Sequence, residues 1–263
     1  MIRKDFYVFR LDIDDNIFEL LTNSIEFEDI NKGRKGCVLV KSEERGIPIV
    51  RTTTNYKNPS YHFSQIHNII IEKLNKQIQQ EIKIKSFEFN NALIEVYDRE
   101  YYKMGYHSDL DMDLEDDSFI ALFSCYENAS NLSTNALRKL KIRCKSTSEE
   151  FEISLTNNSL ILFSLQTNRE FVHKIILDVS KNETTKLGTN RWLGLTYRKS
   201  KTFIKFKNGL PFLTNGDLLG VANDEEREAF YRLKKQENEV INFKYPEINY
   251  TLSIGDILEP KQA

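Results

Sequence analysis

The chain has 263 residues, 40% of them hydrophobic and 29% charged, with a formal net charge of −2. That length and apolar content suit one large domain or two small ones and exclude an intrinsically disordered chain. The near-balance of charge excludes a global basic field for nucleic acid, although a local patch stays compatible with it.

The first five residues lack the apolar run of a signal peptide. No stretch approaches the roughly 18 apolar residues that span a membrane, so no membrane partner and a cytoplasmic location are expected. The alternating segment at residues 6–11 predicts a strand, and Asp14 or Asp15 caps a short helix through Leu21. Loop signals at residues 33–48 surround a β-like run at 37–40. Phe63, Ile66, Ile69, Ile70, Leu74 and Ile78 recur at helical spacing and predict an amphipathic helix over residues 62–80. After it the period falls to two, or to short apolar runs, at 82–89, 92–97, 119–125, 137–143, 151–155, 160–165, 174–179 and 192–198. Strands at this density predict a mainly β fold, a double-sheeted barrel with helices packed outside.

The tail has a different texture. Asn223, followed three residues on by Glu226, reads as a capping box that starts a charged helix running to about Val240. Residues 249–257 return as a strand. Residues 1–200 are read as the main domain, and 201–263 as a helical accessory layer of it. Cys37, Cys125 and Cys144 are odd in number and match no metal-binding spacing, so they read as free thiols in a reducing compartment.

The chemistry concentrates in His107-Ser108-Asp109. Alternate residues of a strand point the same way, so this His-x-Asp can offer both side chains to one ion. With His173 it supplies two imidazoles and one carboxylate, a facial set that leaves one side of an iron open. Arg198 ends the alternating run at 194–198. A buried arginine on a strand needs an anionic partner, and a guanidinium can hold a dicarboxylate by a bidentate ion pair. His62 and His67 flank a helix start and read as capping or surface residues. Trp192 reads as core, and most of the acidic run at 109–117 as a solvated loop.

Taken in order, Ala92-Leu93-Ile94-Glu95-Val96-Tyr97, His107-Ser108-Asp109-Leu110-Asp111, the apolar run at 119–124, His173 and Leu195-Thr196-Tyr197-Arg198 resemble the AlkB-type Fe(II)/2-oxoglutarate dioxygenases. The resemblance covers residues 88–198. It implies a double-stranded β-helix, or jelly roll, and Fe(II), 2-oxoglutarate and O2 as cofactor and cosubstrates. It also implies that His107, Asp109 and His173 bind the iron, that Arg198 pairs with the distal carboxylate of 2-oxoglutarate, and that the Tyr97 hydroxyl bonds to it. Asp111 falls where the family has an acidic residue facing the substrate. Arg51 and Tyr56 fall in a segment similar to the family's substrate lid.

Three departures stand out. Glu95 replaces the asparagine common two residues before the tyrosine. The loop from Tyr97 to His107 is one residue longer than in the bacterial prototype. The family's second arginine falls at Trp192, with Arg191 the nearest arginine able to serve the cosubstrate. Glu95, the acidic balance and the altered lid favour hydroxylation of a small molecule, peptide or protein side chain. Asp111, Arg51 and Tyr56 favour the alternative, oxidative demethylation of alkylated nucleic-acid bases. A non-catalytic binding module on the same fold is the third reading, which the intact His-Asp-His-Arg set argues against.

Overall fold

The computed structural model describes residues 5–14, 16–81, 86–102, 104–132, 136–177 and 190–263. In chain order the elements are β1 (Tyr7–Arg10), α1 (Ile17–Asn23), β2 (Glu28–Asn31), β3 (Arg34–Val40), β4 (Ile47–Pro48), β5 (Tyr61–His62), α2 (Gln65–Glu81), β6 (Asn91–Tyr97) and β7 (Phe119–Tyr126). There follow β8 (Arg138–Cys144), β9 (Glu150–Leu155), β10 (Ser159–Ser164), α3 (Leu165–Glu170), β11 (Phe171–Leu177) and β12 (Trp192–Arg198). The tail holds β13 (Phe203–Lys207), β14 (Leu210–Leu213), β15 (Gly220–Val221), α4 (Asp224–Glu239) and β16 (Tyr250–Thr251).

The main sheet runs in the order β1-β10-β7-β12-β6-β3-β2, with β5 beside β3; a second sheet runs β11-β8-β9. Both faces of the main sheet are buried at its central strands, which is why these read as apolar runs. Ala92, Ile94 and Val96 of β6 and Leu193, Leu195 and Tyr197 of β12 pack against Leu21 of α1 and Ile70, Leu74 and Ile78 of α2. The alternate residues turn to the other face, where Tyr97, Leu122 and Trp192 meet Leu140 and Ile142 of the second sheet. This jelly-roll sandwich, with helices on its outer face, is the mainly β fold the pattern predicts. No described helix is long and apolar enough to cross a membrane.

The differences from expectation have local causes. Helix α2 starts at Gln65 because Ser64 forms its boundary: the Ser64 carbonyl accepts the Asn68 N–H, and its own N–H donates to His67 Nδ1. Of the strand expected over 82–89, residues 82–85 lie outside the described set. The rest is not a strand, because the Asn75 side chain takes both backbone groups of Phe87 at 2.8 and 2.9 Å. Asp15 and residues 178–179, parts of an expected cap and strand, also lie outside the described residues. The apolar stretch before His173 is broken by α3, whose first turn is capped by the Ser164 hydroxyl accepting from the Thr167 N–H. The capping box at Asn223 and Glu226 is formed. Residues 249–257 give only the short β16, parallel to β15, and then a 3-10 turn at Ile254–Ile257. Cys37, Cys125 and Cys144 are free thiols.

Candidate metal centre

His107, Asp109 and His173 converge, each offering one ligand atom within 4.8 Å of the others. The expected strand under His107 and Asp109 is instead a single bridge: His107 and His173 exchange backbone hydrogen bonds of 2.9 and 2.7 Å. That bridge sets the two imidazoles on one rung, with ring centroids 4.8 Å apart. Asp109 follows on irregular backbone, which has to be held by other means. The Asn168 side chain of α3 accepts from the Asp109 N–H and donates to its carbonyl, both at 2.8 Å. Helix α4 holds the preceding residue: Asn238 accepts from the Ser108 N–H at 3.0 Å, and Lys234 Nζ donates to the Ser108 carbonyl at 2.6 Å. Fixing ligands through such outer partners orients them for an ion.

The electrostatics suit a cation. Burial, and then the neighbouring His107, push His173 down to about 3, and burial pushes His107 down as well. Both imidazoles are therefore neutral near neutral pH and have lone pairs to give. The His107 Nδ1 lies 3.1 Å from the Gly105 carbonyl, a bond that leaves Nε2 as the free donor atom. Burial works to raise the Asp109 pKa, but the Arg198 charge beside it, the largest opposing cause, lowers it and keeps the carboxylate ionised. Asp109 Oδ2 and Arg198 Nε are buried without hydrogen-bond partners among the described residues, 3.4 Å apart as an unaligned ion pair. An orphaned buried carboxylate oxygen beside two neutral imidazoles is a donor set of residue types that fit Fe(II).

Above the three residues lies a cavity of ≈ 240 Å³, whose walls include Arg34, Thr52, Thr53, Thr54, Glu95, Tyr97, Tyr101, Met104, Arg198 and Lys234. On the cavity wall Glu95 is clasped by its neighbours. Arg34 reaches it at 2.5 Å, and the Tyr97 hydroxyl donates to it at 2.5 Å. Burial opposes the Arg34 charge, but the Glu95 carboxylate more than compensates and raises its pKa.

A family model described as the 2OG-Fe(II) oxygenase superfamily matches residues 36–198, the span that holds the triad, Tyr97 and Arg198. The chain belongs to that superfamily. It is an Fe(II)- and 2-oxoglutarate-dependent dioxygenase that uses O2, which replaces the binding-module reading. Two solved structures are similar to this oxygenase. OsALKBH1 is 17% identical over 76% of this chain and 100% of its own, with a TM-score of 0.46. A Pseudomonas putida prolyl-4-hydroxylase is 11% identical over 74% of this chain and 92% of its own, with a TM-score of 0.41. No curated protein matches the chain in sequence.

The other residues singled out from sequence are not brought to the cavity of the oxygenase. Arg191 has the wrong parity: it shares its side of the β12 ladder with Leu193 and Leu195, so it faces the helices. There it pairs with Glu127 at 2.6 Å and lies over the Phe18 ring. Asp111 turns to Arg169, whose Nε donates to it at 2.6 Å, and lines a separate groove. Arg51 is buried on Asp113 and on the carbonyls of Ile248 and Tyr250. Tyr56 is buried behind Glu95, its hydroxyl 3.5 Å from that carboxylate. Arg51, Asp111 and Tyr56 are drawn to these neighbours because each would otherwise lie buried and unpaired. Sequence reasoning missed Arg34, Lys234, Asn168 and Asn238. None stands in a motif, and each reaches the site from a distant element.

Proposed function

We propose that this oxygenase holds Fe(II) through His107, Asp109 and His173 and hydroxylates a C–H bond of a small molecule, or of a peptide or protein side chain. Bound Fe(II), with 2-oxoglutarate and O2, supplies the oxidising power and releases succinate and carbon dioxide. The chain's part is placement and the exclusion of water. Arg198 offers an unpaired guanidinium N–H to a cosubstrate carboxylate, and Tyr97 offers a hydroxyl. Leu122, Leu140 and Phe163 make the floor of the cavity dry. Residues 201–263 act as part of the same domain, because Lys234 and Asn238 of α4 hold the loop that carries the ligands.

The observation that carries the choice of substrate class is the cavity itself. Its ≈ 240 Å³ has to take 2-oxoglutarate as well as the reacting carbon, and ordinary ligand pockets begin at roughly 300 Å³. The room left suits one side chain or a small alkyl group. Asp111, Arg51 and Tyr56, on which base recognition would draw, are occupied with structural partners.

The test is succinate formation from 2-oxoglutarate by iron-loaded protein, stimulated either by peptide and small-molecule libraries or by N-methylated single-stranded oligonucleotides. Stimulation by the first, together with no salt-dependent oligonucleotide binding, is expected. Formaldehyde release from methylated oligonucleotides would establish the demethylase alternative instead. Asp109→Ala should lose iron binding; if it keeps full decarboxylation, the triad assignment fails.

A further inference from the structure

We propose that Arg34, reaching in from β3, anchors the distal carboxylate of 2-oxoglutarate, and that Glu95 fills that seat in the free protein. The inference rests on the metal site proposed above. Among the described residues the cavity presents three cations, Arg34, Arg198 and Lys234. Arg198 lies at the metal end, with its Nε 3.4 Å from Asp109 Oδ2. This departs from the expected pairing of Arg198 with the distal carboxylate: a carboxylate held so close to Asp109 is the one next to the iron, so the far end of the five-carbon acid needs another partner. Lys234 is committed to the Ser108 carbonyl at 2.6 Å and to Glu237 at 2.5 Å. Arg34 is the cation that remains among the described residues.

The strand register places Arg34 where a distal anchor is wanted. Tyr97 is flanked on one side by Trp192 of β12 and on the other by Arg34 of β3. The Trp192 ring packs on Tyr97 with centroids 4.9 Å apart, so β12 offers no cation there. Arg138 lies over the Tyr97 ring, 5.2 Å from its centroid, but is committed to the Tyr101 and Asp98 carbonyls, so the cation at the tyrosine hydroxyl comes from the opposite neighbour. Arg34 and Tyr97 both face the cavity, and they converge on one carboxylate. Arg34 Nε donates to Glu95 Oε1 at 2.7 Å, the Tyr97 hydroxyl donates to Oε2 at 2.5 Å, and the Tyr56 hydroxyl lies 3.5 Å from Oε1. A guanidinium with a phenol on each side of a carboxylate is a carboxylate-binding site, and the carboxylate in it belongs to the chain itself. The distal end of 2-oxoglutarate and Glu95 therefore compete for the same donors. Cosubstrate affinity is set by that exchange.

The experiment is anaerobic calorimetry on the Mn(II)-loaded full chain with two ligands. These are 2-oxoglutarate and 2-oxopentanoate, which has the same chain length and the same keto acid but no distal carboxylate. Arg34→Gln is expected to weaken 2-oxoglutarate by about 10- to 100-fold, the range for a lost charge-assisted pair, and to leave 2-oxopentanoate within about twofold. Glu95→Gln keeps the shape, removes the competing charge, and should tighten 2-oxoglutarate by about tenfold without moving 2-oxopentanoate. Mn(II) affinity, read by electron paramagnetic resonance, reports that each variant is folded. An Arg34→Gln protein that binds both ligands like the wild type overturns the inference and leaves the metal site standing. So does a Glu95→Gln protein that binds 2-oxoglutarate more weakly, which would make Glu95 an organiser rather than an occupant. A wild-type protein that takes Mn(II) but no 2-oxoglutarate overturns this inference and the proposed cosubstrate site together.

Discussion

Arg51 separates a substrate-lid residue from a structural one, and the two roles give opposite results on substitution. Its guanidinium donates to both carboxylate oxygens of Asp113, at 3.1 and 2.7 Å, and its backbone N–H adds a third bond at 2.8 Å. Its remaining donors reach the Ile248 and Tyr250 carbonyls at 2.7 and 3.2 Å, tying the tail to the jelly roll. The side chains are only 5% and 0% exposed, so solvent screens little of the pair. Arg51→Met keeps the aliphatic stem but strands Asp113 as a buried charge, a change that costs about 3–5 kcal/mol. Against a total stability of about 5–15 kcal/mol this is a large loss. Urea unfolding followed by circular dichroism should show a lower midpoint with an unchanged slope. Asp113→Leu added to Arg51→Met removes the stranded charge and should recover most of the loss. If Arg51→Met stays within about 1 kcal/mol of the wild type and instead weakens substrate turnover, Arg51 faces the substrate and the structural reading is refuted.

His67 predicts an acid-sensitive stability. It is fully buried, its Nε2 lacks a partner, and burial lowers its pKa from 6.5 to about 4. The unfolded chain therefore binds the extra proton first, and stability present above pH 6.5 is lost as the pH falls towards 4. The full effect is about 3 kcal/mol. His67→Gln should flatten that limb of a stability-against-pH curve measured by urea unfolding, and an equal slope in both proteins would sink the argument. At Gly194 a Cβ would overlap the Trp192 ring, which folds over this position and donates to the Ser124 hydroxyl at 2.7 Å. Gly194→Ala should cost about 1–3 kcal/mol and shift the emission of this sole tryptophan. Unchanged emission and melting would show that the ring has room to move.

Much of this oxygenase was legible without coordinates wherever the cause was local. The period of two along residues 92–97 and 192–198 marks strands because alternate side chains face opposite layers. Asn223 and Glu226 announce their helix because a capping box closes within one turn. The candidate triad was legible for a chemical reason: two imidazoles and a carboxylate in that order suit one metal ion, and the structure brings the three together.

Tertiary structure decided the partners, because an ion pair depends on proximity and not on spacing in the chain. Arg51 looks free to meet a substrate until Asp113 is seen against it, and Asp111 looks like a substrate contact until Arg169 is seen to hold it. One step of strand phase turns Arg191 towards Phe18 on the helix side and Trp192 towards Tyr97 on the other, a choice the order Arg-Trp does not make by itself. Glu95 alone reads as a repulsive charge in a cosubstrate site. Only the pairing of β3 with β6, which brings Arg34 beside Tyr97, turns it into a carboxylate already seated among its donors.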